Sequence, residues 1–146
     1  MNASFRRCLE FGNHYAGLAL RRYAKHRPLE IKEGYFKDYD ALVFGYEQPE
    51  RVEVKTDTYA HKYNSFFIEV EYKGNDSGIK TTKADTWLHV VWKPKGECDV
   101  YAIPIQRLRD GLLDERVYTK TGGDGGYSVG KIVPADLFTD CLVKSA

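Results

Sequence analysis

The chain carries almost no excess charge of either sign: 22 Lys and Arg stand against 21 Asp and Glu over 146 residues. No global field therefore draws it to nucleic acid or to an anionic membrane, and charge-driven binding has to come from local patches. No apolar run approaches the roughly 20 residues that cross a bilayer. Arg6, Arg7 and Glu10 interrupt the N-terminal stretch where the apolar part of a signal sequence would lie. Cysteine is scarce: Cys8, Cys98 and Cys141 are odd in number and share no metal-ligand spacing. Reduced thiols in a cytoplasmic protein are the economical reading, and a zinc site is disfavoured. No repeat, linker or low-complexity tract divides the chain, so the expectation is one domain over residues 1–146, long enough to bury a core.

Aromatic residues, by contrast, are abundant, with 11 Tyr, 7 Phe and 2 Trp. They suit a β-rich core with aromatic strand faces. The stretch DYDALVFGYEQPERVEVK, Asp38 to Lys55, reads as two short strands joined by a turn. Side chains alternate faces along a strand, so Glu53 and Lys55 point one way and Val52 and Val54 the other. With the turn centred on Tyr46 and Glu47, antiparallel pairing places Asp40 opposite Glu53. Two carboxylates and a lysine then converge on one side of a sheet, the arrangement that holds a hard divalent cation beside a phosphate. The flanking residues Ala41 to Phe44, Val52 and Val54 are apolar, which marks these strands as central, where an unpaired charge is costly.

Along the rest of the chain, residues 4–26 read as a first helix. Ser4 is its cap, and Phe5, Leu9, Gly12, Ala16, Ala19, Leu20 and Tyr23 form its buried stripe. Arg21, Arg22, Lys25 and Arg27 gather at its C-terminus before Pro28 stops it; they suit the helix dipole as a solvated end, with nucleic-acid contact the lesser alternative. Ile31 to Phe36 is either an edge strand or a loop. Thr56 to Asn64 reads as a loop passing over the site, and Phe66 to Lys73 (FFIEVEYK) as the third strand. A turn at Gly74 to Gly78 leads to a short helix capped by Thr81 or Thr82. Strands follow at Thr86 to Trp92 and Cys98 to Ile105, then a helix from Ile105 to Leu113 and the glycine-rich loop TGGDGG, Thr121 to Gly126. That loop lacks the Gly-Lys-Ser/Thr ending of a phosphate-binding loop, so a flexible loop is expected and Asp124 carries no assignment. A strand over Tyr127 to Val133 and a helix opened by Pro134 complete the chain. His14, His26, His61 and His89 are not spaced as a zinc site, and His89, inside an apolar strand, reads as a core histidine.

The order helix, strand with Asp, hairpin, strand with Glu-x-Lys, further strand, helix and strand resembles the core of the PD-(D/E)XK nucleases. These include restriction endonucleases, Holliday-junction resolvases and some homing endonucleases. FFIEVEYKGNDSGIKTTKADTW also looks like phage-type nucleases of this group, in which an Ile-Glu strand precedes Ser-Gly-Ile, Thr and Ala-Asp. The resemblance covers roughly residues 5–105. It implies an α/β fold with a restriction-endonuclease-like central mixed sheet flanked by helices (an αβββαβ core). It also implies Asp40 and Glu53 as metal ligands, Lys55 as the catalytic lysine and the Val54 carbonyl as a further ligand. Tyr39 stands where the pattern has Pro. Resolvase-like members carry a helix Glu shortly after a Gly; Gly12 to Gly17 has none, and Glu10, one step earlier, either takes that place or is a surface residue beside Arg6. Asp38 shares a face with Asp40 but falls opposite Lys55, so Asp40 is preferred.

Oxygen ligands of this kind select Mg²⁺, with Mn²⁺ as a substitute. Gly78 to Lys83 offers Lys80, Thr81, Thr82 and Lys83 at an expected helix N-terminus as a phosphate-docking point, with an ordinary capped helix start as the alternative. Lys62 and Asn64, in the loop after the site, are further candidates for DNA contact. The resulting expectation is a Mg²⁺-dependent DNA endonuclease acting on branched or duplex DNA. It would work as a homodimer, since one site per chain cuts one strand, and in the host-cell cytoplasm if phage-encoded. The rival is a catalytically silent nucleic-acid-binding protein that keeps the fold.

Overall fold

The computed structural model describes residues 3–34, 38–122 and 126–144. Its first element is the helix α1, Ala3–Ala24, which ends when Lys25 turns left-handed at φ 55, three residues before Pro28. Ser4 lies inside this helix rather than capping it. The inward face of α1 is made of Tyr15, Ala19, Leu20 and Ala24. Tyr15 falls outside the expected stripe, whereas Gly12, which belongs to it, has open space where a Cβ would stand. The stripe is rotated from the expected one because the sheet beneath takes one large ring at Tyr15, whose hydroxyl accepts the Trp92 indole N–H at 3.2 Å.

Five strands make the sheet under α1: β1 (Leu29–Ile31), β2 (Ala41–Val43), β3 (Glu50–Asp57), β6 (Thr86–Trp92) and β7 (Cys98–Pro104), in that spatial order. Only β3 and β6 are parallel; the other neighbours are antiparallel. The fold is therefore α/β with a mixed five-stranded sheet. The crossover from β3 to β6 contains the four-residue helix α2 (Ala60–Tyr63), strands β4 (Ser65–Tyr72) and β5 (Asn75–Asp76), and a 3-10 turn at Gly78–Lys80. FFIEVEYK thus forms a strand but not the third strand of the main sheet. It belongs to a second, four-stranded antiparallel sheet ordered β5-β4-β9-β8, with β8 at Tyr118–Gly122 and β9 at Ser128–Pro134. The strand β8 leads into the glycine-rich loop, where the sequence pattern indicated none; Asp124 lies outside the described residues.

The side-chain alternation of β3 and β6 divides the core into two. Val52, Val54, Leu88 and Val90 pack with Ala41, Val43 and the inward residues of α1. On the opposite face Trp87 and Val91 meet Phe66, Ile68 and Val133 of the second sheet. They also meet Leu108 of the helix α3 (Ile105–Gly111) and Phe138 of the 3-10 segment Ala135–Cys141. Burial on both faces explains why TWLHVVW reads as an almost continuous apolar run rather than an alternating one. The last segment follows Pro134 as expected, but as 3-10 turns with a kink at Phe138. Cys98 and Cys141 are free thiols. No helix among the described residues is long and apolar enough to cross a membrane.

Candidate active site

The register of the β2–β3 hairpin is the one the turn position dictates. Ala41 pairs with Val52, Leu42 with Arg51 and Val43 with Glu50, so Asp40 continues the ladder opposite Glu53. The Asp40 N–H donates to the Val52 carbonyl at 2.9 Å, and the Val54 N–H donates to Asp40 Oδ2 at 2.7 Å. Val52 and Val54 thus turn their backbone polar groups toward the β2 side, while Glu53 and Lys55 project from the face shared with Trp87 and His89. Glu53 Oε2 lies 3.3 Å from Thr82 Oγ1. Among the described residues, Oδ1 of Asp40 and Oε1 of Glu53 have no hydrogen-bond partner.

The electrostatics follow from this packing. Burial raises the Asp40 pKa above the usual carboxylate range, against the pull of the Val54 N–H and the Lys55 charge. Glu53 is pushed up to about 7, first by burial and then by the charge of Asp40, with Lys55 and Thr82 opposing. Burial raises both half-buried carboxylates, and the Asp40 charge adds to the rise at Glu53, as expected of a site short of positive charge. The Lys55 ammonium acts on both acids through space but forms no ion pair or hydrogen bond among the described residues. Asp38 enters the site through its backbone: its carbonyl accepts from the Lys83 N–H at 2.7 Å and lies 3.2 Å from Thr82 Oγ1.

Among the described residues no group of three or more His, Cys, Asp or Glu side chains is arranged to hold a metal ion. The side-chain donors at hand are therefore the two carboxylates of Asp40 and Glu53. That set fits Mg²⁺, which keeps several waters and binds through one or two carboxylates together with substrate phosphates. Glu10 is exposed on α1, in the layer that covers the other face of the sheet, and no contact joins it to the pair.

The expected phosphate-docking helix is absent. The 3-10 turn ends at Lys80, before the threonines, and the chain then runs without regular structure into β6. Thr82 is 5 % exposed and faces Glu53, so it is unavailable to a phosphate. The half-buried Thr81 lies 3.4 Å from the Gly78 carbonyl through its hydroxyl. Lys80 is exposed and pairs loosely with Asp76 at 3.7 Å, and Lys83 is exposed. Lys62 and Asn64 are exposed too, but Thr56 to Asn64 is not a loop over the site. β3 continues to Asp57, whose carboxylate accepts the N–H groups of Tyr59, Ala60 and Phe67 and so steers the chain into the second sheet. Of the basic helix end, Arg22 donates to the Cys98 carbonyl at 2.9 Å. Arg27 donates to the Phe44 carbonyl and pairs with Glu50 at 3.0 Å. Glu50 also accepts from Tyr23, whose hydroxyl is pushed up to about 12 by burial and by this carboxylate. Arg22 and Arg27 are thus occupied inside the fold.

Sequence reasoning missed Thr82 as part of the acid pair's surroundings. The signal was present in the run Ser77-Gly78-Ile79…Thr82…Ala84-Asp85, but only the fold shows that this run returns to β3. No family model, no curated protein and no solved structure matches the chain.

Proposed function

We propose that the chain is a Mg²⁺-dependent endodeoxyribonuclease of the PD-(D/E)XK type. The observation that carries this reading is the placement of Asp40 opposite Glu53 in the hairpin register, with Lys55 on the same face as Glu53 and paired to no described residue. Strand order is compatible with such a core: a helix is followed by three strands in antiparallel succession and a fourth strand parallel to the third. The departure is the β3–β6 crossover, which detours through a second sheet instead of a single helix.

In this reading the carboxylates of Asp40 and Glu53, with the Val54 carbonyl, would hold the ion. When bound, it lowers the pKa of a coordinated water and neutralises charge on the scissile phosphate. The Val54 N–H fixes the Asp40 carboxylate, and Thr82 fixes that of Glu53. Lys55, a compact point charge on a flexible stem, orients the attacking water and stabilises negative charge gathering on the phosphate oxygens. Lys80 and Lys83, exposed beside the site, and Lys62 and Asn64 further along the crossover supply backbone contacts to DNA. A homodimer supplies the second active site that cutting both strands requires.

The test is incubation of pure protein with plasmid and four-way-junction DNA in Mg²⁺, Mn²⁺ or EDTA. Cleavage with either metal and none in EDTA is expected; no cleavage of any substrate sinks the proposal. The small donor set of two carboxylates favours a second reading, a silent DNA-binding protein with this fold. That protein would shift junction or duplex DNA in a gel without cutting it.

A further inference from the structure

The run from Ser77 to Asp85 is pinned to β4 at its start, to β3 at its end, and to Asp38 and Glu53 in the middle. At its start Ser77 donates through its hydroxyl to Glu69 Oε2 at 3.0 Å and through its N–H to the Val70 carbonyl at 3.0 Å. The other oxygen of Glu69 accepts from the Ser128 hydroxyl at 2.7 Å. Gly78 follows at φ +56, so close to β4 that a Cβ would stand 2.2 Å from the Glu69 carbonyl oxygen. At its end Asp85 takes the Arg51 N–H at 2.9 Å and the Arg51 guanidinium at 3.0 Å, while the Asp85 N–H returns to the Arg51 carbonyl at 2.8 Å. Arg51 is two residues before Glu53 on the same strand.

Between these anchors lies the buried hydroxyl of Thr82. It accepts the Ala84 N–H at 3.2 Å and has two acceptors in reach, Glu53 Oε2 at 3.3 Å and the Asp38 carbonyl at 3.2 Å. A hydroxyl has one hydrogen to give. The Asp38 carbonyl is already satisfied by the Lys83 N–H at 2.7 Å, so the Thr82 hydrogen is at liberty to go to Glu53 without leaving a buried acceptor orphaned.

We infer that Ser77–Asp85 is a clamp and that Thr82 is its working end, a positioning residue that fixes the Glu53 carboxylate on the strand position opposite Asp40. The inference rests on the nuclease reading of the pair. Glu69, Ser77 and Gly78 fix one end of the segment to the second sheet, and Asp85 and Arg51 fix the other to β3. Thr82 transmits the resulting rigidity to the ligand. Outer hydrogen bonds of this kind are worth about 10–100-fold in metal affinity or activity.

The experiment compares Thr82→Val, Thr82→Ser and Ser77→Ala with the wild-type protein by Mn²⁺ titration alone and by cleavage kinetics. Thr82→Val is expected to weaken Mn²⁺ binding and to lower kcat, each by about 10-fold or more, with the KM for DNA unchanged. Thr82→Ser, which keeps the hydroxyl, stays near wild type, and Ser77→Ala shows a smaller loss in the same two quantities. A folded Thr82→Val with wild-type Mn²⁺ affinity and kcat overturns the inference, as does a Thr82→Ser as impaired as Thr82→Val. If Thr82→Val melts below the assay temperature, Ser77→Ala decides, and unchanged affinity and kcat there overturn the clamp. Wild-type protein that neither binds Mn²⁺ nor cuts DNA overturns the nuclease reading itself, and the clamp with it.

Discussion

His89 Nε2 lies 2.9 Å from Asp57 Oδ2 in the interior, and the opposite ring nitrogen of His89 accepts the Trp87 indole N–H at 3.2 Å. The indole is a donor only, so Nδ1 must be bare and the proton sits on Nε2, donated to Asp57. His89 is 1 % exposed and stacks on Phe66 with ring centroids 4.3 Å apart. This is a core histidine held between a buried aspartate and an indole.

The Asp57 carboxylate gathers three backbone N–H groups besides His89, at the point where β3 hands the chain to the second sheet. Asp57→Ala leaves four donors without their acceptor and should cost about 3 kcal/mol or more in urea unfolding. Burial pushes the Asp57 pKa up, but His89 and the N–H groups outweigh it and hold it below the usual range. Its stabilisation is therefore present above the unfolded pKa of about 3.9 and lost as the pH falls through the folded value. The acid limb of the stability curve should be shallower in Asp57→Ala than in wild type. An unchanged acid limb would show that other carboxylates govern acid unfolding.

Glu53 behaves with the opposite sign. Its pKa is raised from 4.5 to about 7 in the fold, so its favourable contribution is complete below pH 4.5 and is lost as the pH rises through 7. Glu53→Gln should melt above the wild type at pH 8 in EDTA, with the gap closing toward pH 4. Added Mg²⁺ should raise the wild-type melting temperature more at pH 8 than at pH 5.5, and raise that of Glu53→Gln little at either. Scanning calorimetry at the two pH values reads both effects.

Asp40 and Asp38 are separated by the register alone. Asp40→Ala, Glu53→Ala and Lys55→Ala should each reduce cleavage at least about 100-fold while circular dichroism and DNA binding stay near wild type. Asp38→Ala should retain most of the activity, because the Asp38 group at the site is a main-chain carbonyl that survives the substitution. A dead Asp38→Ala beside an active Asp40→Ala would reverse the ligand assignment.

Two glycines should respond in opposite directions to alanine. Gly78→Ala drives a methyl into the Glu69 backbone at a positive φ and should destabilise by about 2 kcal/mol or more. Gly12→Ala, in the middle of α1 with open space around it, should stabilise by about 0.5–1 kcal/mol. Denaturant midpoints of the two variants decide the matter.

The hairpin that holds Asp40 opposite Glu53 was legible in the sequence because its information is local. Alternation sets the faces of β3, and the position of the Gly45–Pro49 connection sets the register, so two residues far apart in the chain are placed by counting. The same locality made α1, β6 and β7 readable from their apolar periods and their proline and glycine stops.

What the sequence could not decide is which sheet a strand joins. FFIEVEYK alternates in the same way whether it extends the first sheet or starts a second. Its partner, β9, lies beyond residue 127, and only the packing of Phe66, Ile68 and Val133 over Trp87 selects the second sheet. The role of Thr82 is equally non-local: it reads as the cap of a short helix until the contacts at Glu69 and Arg51 hold the segment out of a helix and bring its hydroxyl to Glu53. Local pattern thus set the pair of acids, and long-range packing, which depends on residues distant in the chain, decided what surrounds and steadies them.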